Sequence, residues 1–264
     1  MIITLTTIPP RFDKITPTLK SLLNQKHHAD QINLYIPQSY KRFPEWTGTL
    51  PQVPEGVTIC RTDFDYGPAT KVLPAVKDNW GKERDILFCD DDVYYDAHWA
   101  ERYAKLRLTH QRTCLAEGGY DLKDIDPASR PQDRLPRVSN QNRDLLFRLG
   151  SMLKYRQRRA SYYTQSGYSD TLLGVSGVMV RPTYFDEKVF DIPGLLWTVD
   201  DYWISGNLAA NNVPIWVNAN APRRHDGASR RISALLTMVH EGNDRNDSNQ
   251  AAVDYFREHY GVWK

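Results

Sequence analysis

Three adjacent aspartates directly follow an apolar segment that we predict to be a buried strand over residues 85–89. Asp90, Asp91 and Asp92 repel one another when ionised, so they are best tolerated where a cation neutralises them. Carboxylate oxygens are hard ligands that suit Mg²⁺ or Mn²⁺. In an extended segment Asp90 and Asp92 point the same way, whereas Asp91 faces the other side and hydrogen-bonds or caps a turn. A solvated acidic turn is the alternative, but the position after a strand favours a cation site.

Further residues that could do chemistry lie elsewhere in the chain. Asp200 and Asp201 open a predicted helix, where two acids are by themselves explained by the helix dipole. His225 follows a predicted strand over 214–217 and could return to the same edge of the sheet, although a single loop histidine is more often simply exposed. Lys71 follows a Gly-Pro turn, so it could contact a phosphate or a sugar, or it could be an ordinary lysine on a helix surface.

Strands and helices alternate along the segments that would position these residues. We predict strands over residues 1–8, 31–36, 57–60, 85–89 and 214–217, helices over 15–24, 69–79, 99–111, 197–211 and 249–259, and further regular structure over 171–180. This alternation indicates an α/β fold with a mostly parallel sheet, right-handed crossovers and ligand sites at the carboxyl ends of the strands.

Residues 118–170 differ from the rest of the chain, because they are polar, rich in arginine and tyrosine, and poor in strand signal. We interpret them as a basic helical insertion or lid within a single domain over residues 1–264. Residues 143–159 carry six basic residues and one acid after an apolar start. They could form an interfacial helix that touches anionic lipid, but a lid helix with a solvated basic face is favoured because the apolar face is short.

The composition excludes several classes of protein. The 264 residues are 41% apolar and 25% charged with a net charge of +2, so no global field attracts nucleic acid or a membrane. The three cysteines match no zinc or thioredoxin spacing, and their odd number argues against a disulfide framework. The longest uncharged apolar stretch, residues 172–180, is too short to span a membrane. We therefore expect a cytoplasmic protein, with peripheral contact at the inner face of the membrane left open by residues 143–159.

The order of these motifs resembles nucleotide-sugar-dependent glycosyltransferases of the GT-A fold, close to family 2 and of the bacterial type. The segments that carry the resemblance are Thr6-Thr7-Ile8-Pro9 with Arg11, the DXD-type triplet Asp90-Asp91-Asp92, Gly174-Val175-Ser176-Gly177, the pair Asp200-Asp201, and His225. Residues 65–71 are also similar to a segment that precedes the DXD strand in some bacterial members.

The resemblance implies a metal-dependent transfer of a sugar, from a UDP-sugar before other donors, to a hydroxyl of a glycan or lipid-linked glycan. It makes residues 1–117 the nucleotide-sugar half and residues 171–264 the acceptor half. Mn²⁺ or Mg²⁺ would be held by Asp92 and His225, with Asp90 at a metal-bound water or the ribose. The donor-binding residues that it implies are Thr6, Thr7, Ile8, Pro9, Arg11, Asp65, Lys71, Asp90, Asp91, Arg230 and Arg231.

The resemblance also makes Asp201 the base that takes the acceptor proton, with inversion at the anomeric carbon. Inverting members usually carry Glu-Asp, so the Asp200-Asp201 pair leaves open which acid reaches the acceptor. Gly177, Trp197 and Trp203 are candidate acceptor contacts, although core packing is the favoured role for Trp203.

Three alternatives remain at this stage. The chain could be a retaining transferase, or a non-catalytic nucleotide- or sugar-binding module on the same fold. The triplet also superficially fits the aspartate-rich diphosphate motif of isoprenoid enzymes. Those enzymes carry that motif on a helix in an all-helical fold, and the predicted strand before the triplet disfavours this class.

Overall fold

The computed structural model describes residues 1–140, 162–233 and 245–264. In chain order, the strands are β1 (Ile2–Thr6), β2 (Gln31–Pro37), β3 (Thr58–Thr62), β4 (Ile86–Phe88), β5 (Val93–Tyr94), β6 (Cys114–Ala116), β7 (Gly119–Tyr120), β8 (Ser139–Asn140), β9 (Tyr163–Gln165), β10 (Gly167–Ser169), β11 (Thr171–Leu172), β12 (Val178–Val180), β13 (Ile215–Val217) and β14 (His225–Asp226). The α-helices are α1 (Thr16–Leu23), α2 (Leu73–Asp78), α3 (Trp99–Thr109), α4 (Asp200–Ala210) and α5 (Arg245–Tyr260).

An eight-stranded sheet forms the centre of the molecule, with the strand order β10-β13-β6-β12-β4-β1-β2-β3. Strands β1 to β4 run parallel to one another. Strand β12 is antiparallel to both of its neighbours, β4 and β6, while β13 is parallel to β6 and β10 is antiparallel to β13 at the edge. The predicted α/β class with a mostly parallel sheet flanked by helices is therefore confirmed. An all-helical isoprenoid-type fold is excluded, because the acidic triplet follows a strand.

The central strands are apolar on both faces, because helices cover both sides of the sheet. Successive residues of β4 and β12 alternate between two buried clusters, one that contains Trp203 and Phe256 and another that contains Trp99 and Leu19. The first cluster lies under α2, α4 and α5, and the second lies under α1 and α3. Because both faces of the sheet are buried, β1, β2 and β4 are short apolar runs in the sequence.

Some predicted boundaries are wrong. The helix predicted over 69–79 is split into a 3-10 turn, Gly67–Lys71, and α2, and the helix predicted to begin at 197 begins at Asp200. Residues 118–170 do contribute strands, including β10 in the central sheet, but these are two or three residues long, too short to show alternation. The basic segment 143–159 lies outside the described residues. Within the described residues, no helix has the length and apolar character needed to cross a bilayer.

Candidate functional site

A cavity of about 380 Å³ opens where β1 and β4 end and where α4 begins. We call it the strand-end cavity. Most of the predicted site residues line it, namely Thr6, Thr7, Ile8, Arg11, Asp65, Lys71, Asp90, Asp91, Asp92, Trp197, Asp200, Asp201 and Arg230. Such a position agrees with the expectation that ligands bind beyond the carboxyl ends of parallel strands.

Asp91 fastens the loop after β1 to the end of β4. Its carboxylate accepts hydrogen bonds from Thr7 Oγ1 at 2.5 Å and from an Arg11 nitrogen at 2.6 Å. The same Arg11 nitrogen lies 3.3 Å from Asp92 Oδ2. The Asp91 side chain is only 6% exposed, and it hydrogen-bonds as the alternation of an extended segment predicted. Although Asp91 lines the cavity, its two carboxylate oxygens are already occupied by the protein.

Lys71 lies between the two acid motifs. Its ammonium group is 2.5 Å from Asp90 Oδ1 and 2.8 Å from Asp200 Oδ2, and its side chain is only 6% exposed. Burial by itself would lower the pKa of Lys71, but Asp200 and then Asp90 raise it well above its usual value. Lys71 is therefore charged at neutral pH, and the alternative of an ordinary surface lysine is wrong. It joins the end of β4 to the start of α4.

Asp200 and Asp201 have different partners although they are adjacent in sequence. Asp200 is bound to Lys71, whereas Asp201 Oδ1 accepts a hydrogen bond of 2.8 Å from the backbone N–H of Gly174. Burial, and after it the charge of Asp200, raises the pKa of Asp201 to about 7, although Lys71 acts in the opposite direction. Asp201 therefore exchanges a proton near neutral pH.

Burial also raises the pKa of three other carboxyl groups that line the cavity, those of Asp65, Asp91 and Asp92. Burial, followed by the charges of Asp90 and Asp91, raises the pKa of Asp92 to about 7, because Arg11 and Lys71 offset only part of the repulsion. The Asp90 and Asp92 carboxylates are hard oxygen donors of the kind that hold Mg²⁺ or Mn²⁺ together with phosphate oxygens. In the described part of the chain, no three His, Cys, Asp or Glu side chains converge as a ready metal site. The donor set therefore fits an ion that completes its shell with substrate oxygens.

His225 does not line the strand-end cavity. His225 is exposed in β14, which pairs with β5, and it lines a smaller cleft of about 70 Å³ beside the strand-end cavity. The segment nevertheless passes the triplet, because the backbone N–H of Gly227 donates to the Asp92 carbonyl at 2.6 Å. The role of His225 as a metal ligand stays a prediction.

The turn before α2 forms one wall of the cavity. Asp65 accepts hydrogen bonds from the backbone N–H groups of Lys41 and Gly67, and its carbonyl accepts the indole N–H of Trp197 at 3.1 Å. A Cβ on Gly67, which has a φ of +60°, would lie 2.7 Å from the Trp197 ring, so the turn requires glycine. Trp197 is thus a fixed part of the wall, and its role as an acceptor contact stays a prediction.

Four other predicted residues lie outside the lining of the strand-end cavity. The prediction of an acceptor contact is wrong for Trp203, which is 1% exposed and donates its indole N–H to the Val189 carbonyl. Gly177 lies in the core, where its carbonyl accepts the Tyr103 hydroxyl and a Cβ would collide with Trp99. Pro9 begins a 3-10 turn, and Arg231 is exposed at the end of another.

Sequence reasoning missed several residues at the rim. Arg42, Arg224 and Arg245 line the cavity together with Arg230, and the rings of Tyr40 and Phe43 add an aromatic side. Tyr40 to Phe43 follow β2, so their position after a strand was a signal that could have found them. Arg224 and Arg230 are both paired with Asp226. Carboxylates thus lie at the strand ends, where Arg11 pairs with Asp91, and the other guanidinium groups lie at the rim.

No family model matches the chain, and a search of curated proteins finds none with a similar sequence. Among solved structures, the crystal structure of S. aureus TarS 1-349 has a TM-score of 0.46 and 15% identity, over 99% of this chain and 72% of that one. Its complex with UDP-GlcNAc has a TM-score of 0.45 and 14% identity over the same shares of the two chains. A longer TarS structure has a TM-score of 0.45 and 14% identity, over 100% of this chain and 44% of that one.

Proposed function

We propose that the chain is a metal-dependent, inverting glycosyltransferase of the GT-A, family 2-like type. It moves a sugar from a nucleotide-sugar donor to a hydroxyl of a glycan or lipid-linked glycan. One observation carries this proposal. The acidic triplet after β4 and the acid pair that opens α4, about 110 residues apart in sequence, meet in one cavity through Lys71.

The separation of charge in the cavity supports a nucleoside diphosphate as the leaving group. The rim guanidinium groups can donate charge-assisted hydrogen bonds to phosphate oxygens. Asp92 and Asp90 would hold the divalent ion, which as a Lewis acid stabilises the charge that develops on the departing diphosphate. Binding of the donor would also supply the oxygens that the two carboxylates lack as a metal shell. A UDP-sugar is the first donor to test.

The base in this mechanism is Asp201 rather than Asp200. Lys71 occupies an oxygen of Asp200, whereas Asp201 keeps Oδ2 without a hydrogen-bond partner among the described residues. A pKa of about 7 suits a group that accepts a proton at neutral pH. As the acceptor oxygen attacks the anomeric carbon, its proton passes to Asp201 and the diphosphate leaves from the opposite face. This single displacement inverts the configuration.

A binding module without catalysis is the second candidate, and one observation favours it. Lys71 neutralises Asp200, so half of the acid pair has a structural role that a non-catalytic protein would also need. The two candidates differ in the fate of the bound donor. A transferase releases a nucleoside diphosphate in the presence of an acceptor, whereas a binding module holds the donor unchanged.

The test combines donor binding and nucleoside diphosphate release, measured on a panel of nucleotide sugars with Mn²⁺, Mg²⁺ or EDTA. We expect one donor to raise the melting temperature in a metal-dependent manner. Asp92→Ala should abolish that shift, whereas Asp201→Asn should keep the shift and lose release. Asp124→Asn, an exposed aspartate outside the cavity, is the matched control.

Each outcome of this test separates the candidates. Donor binding without release in the wild type, with all acceptors tried, supports the binding module. Release that persists in Asp201→Asn refutes the assignment of the base. Retention of configuration in the product, read by NMR of the anomeric proton, refutes the inverting mechanism. No binding by any donor refutes the nucleotide-sugar proposal as a whole.

A further inference from the structure

A second cavity, of about 380 Å³, lies at the β10 edge of the central sheet. It is lined by Ile215 at the start of β13 and by Ala209 near the end of α4, whereas the strand-end cavity lies where α4 begins. No described residue lines both cavities. We call this second space the β10-edge cavity. Any ligand in it is separate from the proposed donor site.

Among the described residues, three arginines line the β10-edge cavity, and two of them are paired with carboxylates. Asp170 accepts hydrogen bonds from Arg130 at 2.9 Å and from Arg137 at 2.6 Å, and its side chain is 8% exposed. Arg137 also pairs with Asp121. These bonds fix the segment that carries the arginines onto the edge of the sheet, so the role of Arg130 and Arg137 is structural.

Arg134, the third arginine, differs from its neighbours. A guanidinium nitrogen of Arg134 donates to the amide oxygen of Asn212 at 2.5 Å. In the parts of the chain that the structure describes, no carboxylate lies within ion-pair distance of Arg134. Burial lowers the pKa of Arg134, whereas the charge of Asp133 acts in the opposite direction and the charge of Arg137 in the same direction as burial. A partly buried cation that has only a neutral partner leaves most of its five N–H donors for a ligand.

We propose that the β10-edge cavity binds a phosphate-bearing small molecule whose phosphate contacts Arg134. The planar guanidinium fork of Arg134 matches two phosphate oxygens at once. Asp170, which also lines the cavity, is neutralised by Arg130 and Arg137. Apolar side chains such as Val213 and Trp263 line the remainder of the cavity and suit an uncharged portion of the ligand. The volume is that of ordinary small-molecule sites. The proposal does not depend on the proposed glycosyl transfer.

Inorganic phosphate is the probe for the first experiment, with chloride at equal ionic strength as its control. Hydrogen exchange of the full chain is measured by mass spectrometry across a phosphate titration. We expect slower exchange in residues 122–137 and 209–215, a signal that separates this cavity from residues 224–231 at the rim of the strand-end cavity. Hydrogen exchange does not depend on sugar transfer, so a failure of this proposal is distinguishable from a failure of the proposed function.

Arg134→Gln should weaken the phosphate affinity read from residues 122–137 at least about tenfold, because a charge-assisted hydrogen bond is lost. Arg112→Gln, which changes an exposed arginine that lines neither cavity, should leave that affinity unchanged. If circular dichroism shows that Arg134→Gln does not fold, Arg134→Lys keeps the charge without the fork and should bind with reduced affinity. Slower exchange only at residues 224–231, no effect of phosphate, or wild-type affinity in the Arg134 variant would overturn the proposal.

Discussion

Asp201→Asn should stabilise the protein in a pH-dependent manner. The pKa of Asp201 rises from its usual 3.8 to about 7 on folding, which corresponds to a cost of about 4 kcal/mol for the ionised form because one pKa unit is ~1.4 kcal/mol. Because the folded value is the higher one, the carboxylate does not weaken the fold below pH 3.8. Its cost grows as the pH rises to about 7, and it then stays constant. Asparagine never ionises, and its Oδ1 can still accept the Gly174 hydrogen bond.

The expected difference between Asp201→Asn and the wild type in the free energy of unfolding is thus near zero at pH 3.5. It reaches roughly half its final size near pH 5.5 and about 4 kcal/mol at pH 8. Urea unfolding at these three pH values measures it, and the melting temperature at pH 8 should rise by roughly 8–16 °C. Asp124→Asn, as an exposed control, should stay within about 0.5 kcal/mol of the wild type throughout. A variant that is less stable than the wild type at pH 8, or a difference that does not change with pH, would refute the reasoning.

Three other predictions concern the same region of the molecule. Lys71→Met should cost about 3–5 kcal/mol in urea unfolding, because it leaves the buried Asp200 and the partly exposed Asp90 without their cation. Adding Asp200→Asn should recover part of the loss, and an unchanged stability contradicts this account. The rate of sugar transfer should rise with pH through about 7, as Asp201 ionises, and a rate that is flat between pH 6 and 8 argues against this base. Trp203→Ala should lower the free energy of unfolding by about 3–5 kcal/mol. The protein that remains folded at low temperature should bind the donor as tightly as the wild type does. A loss of donor affinity in that folded protein would show that Trp203 contacts the ligand.

The sequence was informative where burial and chemistry impose the same pattern. Strands β1, β2 and β4 are covered on both faces, so most of their residues are apolar, whereas a strand with one solvated face alternates apolar and polar residues. The acids that follow β4 could be placed at the end of that strand, because the apolar run stops where the polar residues begin. The contrast between adjacent segments therefore predicted the centre of the sheet and the location of the cavity.

The parts that could not be predicted depend on distant contacts. Nothing near Lys71 in sequence indicates that Asp90 and Asp200 will contact it, so the burial of Lys71 could not be predicted. Trp203 occupies a helical position that could equally face a ligand, and only the packing of α5 against α4 decides that it is buried. Strand β10 is three residues long and takes its conformation from β13, its neighbour in the sheet. Tertiary context overrides local preference in all three cases.

The position of β12 between β4 and β6 has a consequence for how the chain is made. Phe88 in β4 pairs with Val178 in β12, so ninety residues must leave the ribosome after β4 before its open side is covered. During that interval the nascent chain presents an apolar strand edge to which another nascent chain can add. The three aspartates immediately after β4 place negative charge beside this open edge, where charge opposes such pairing. Replacing all three together should therefore expose the growing polypeptide to aggregation before the strand-end cavity can form.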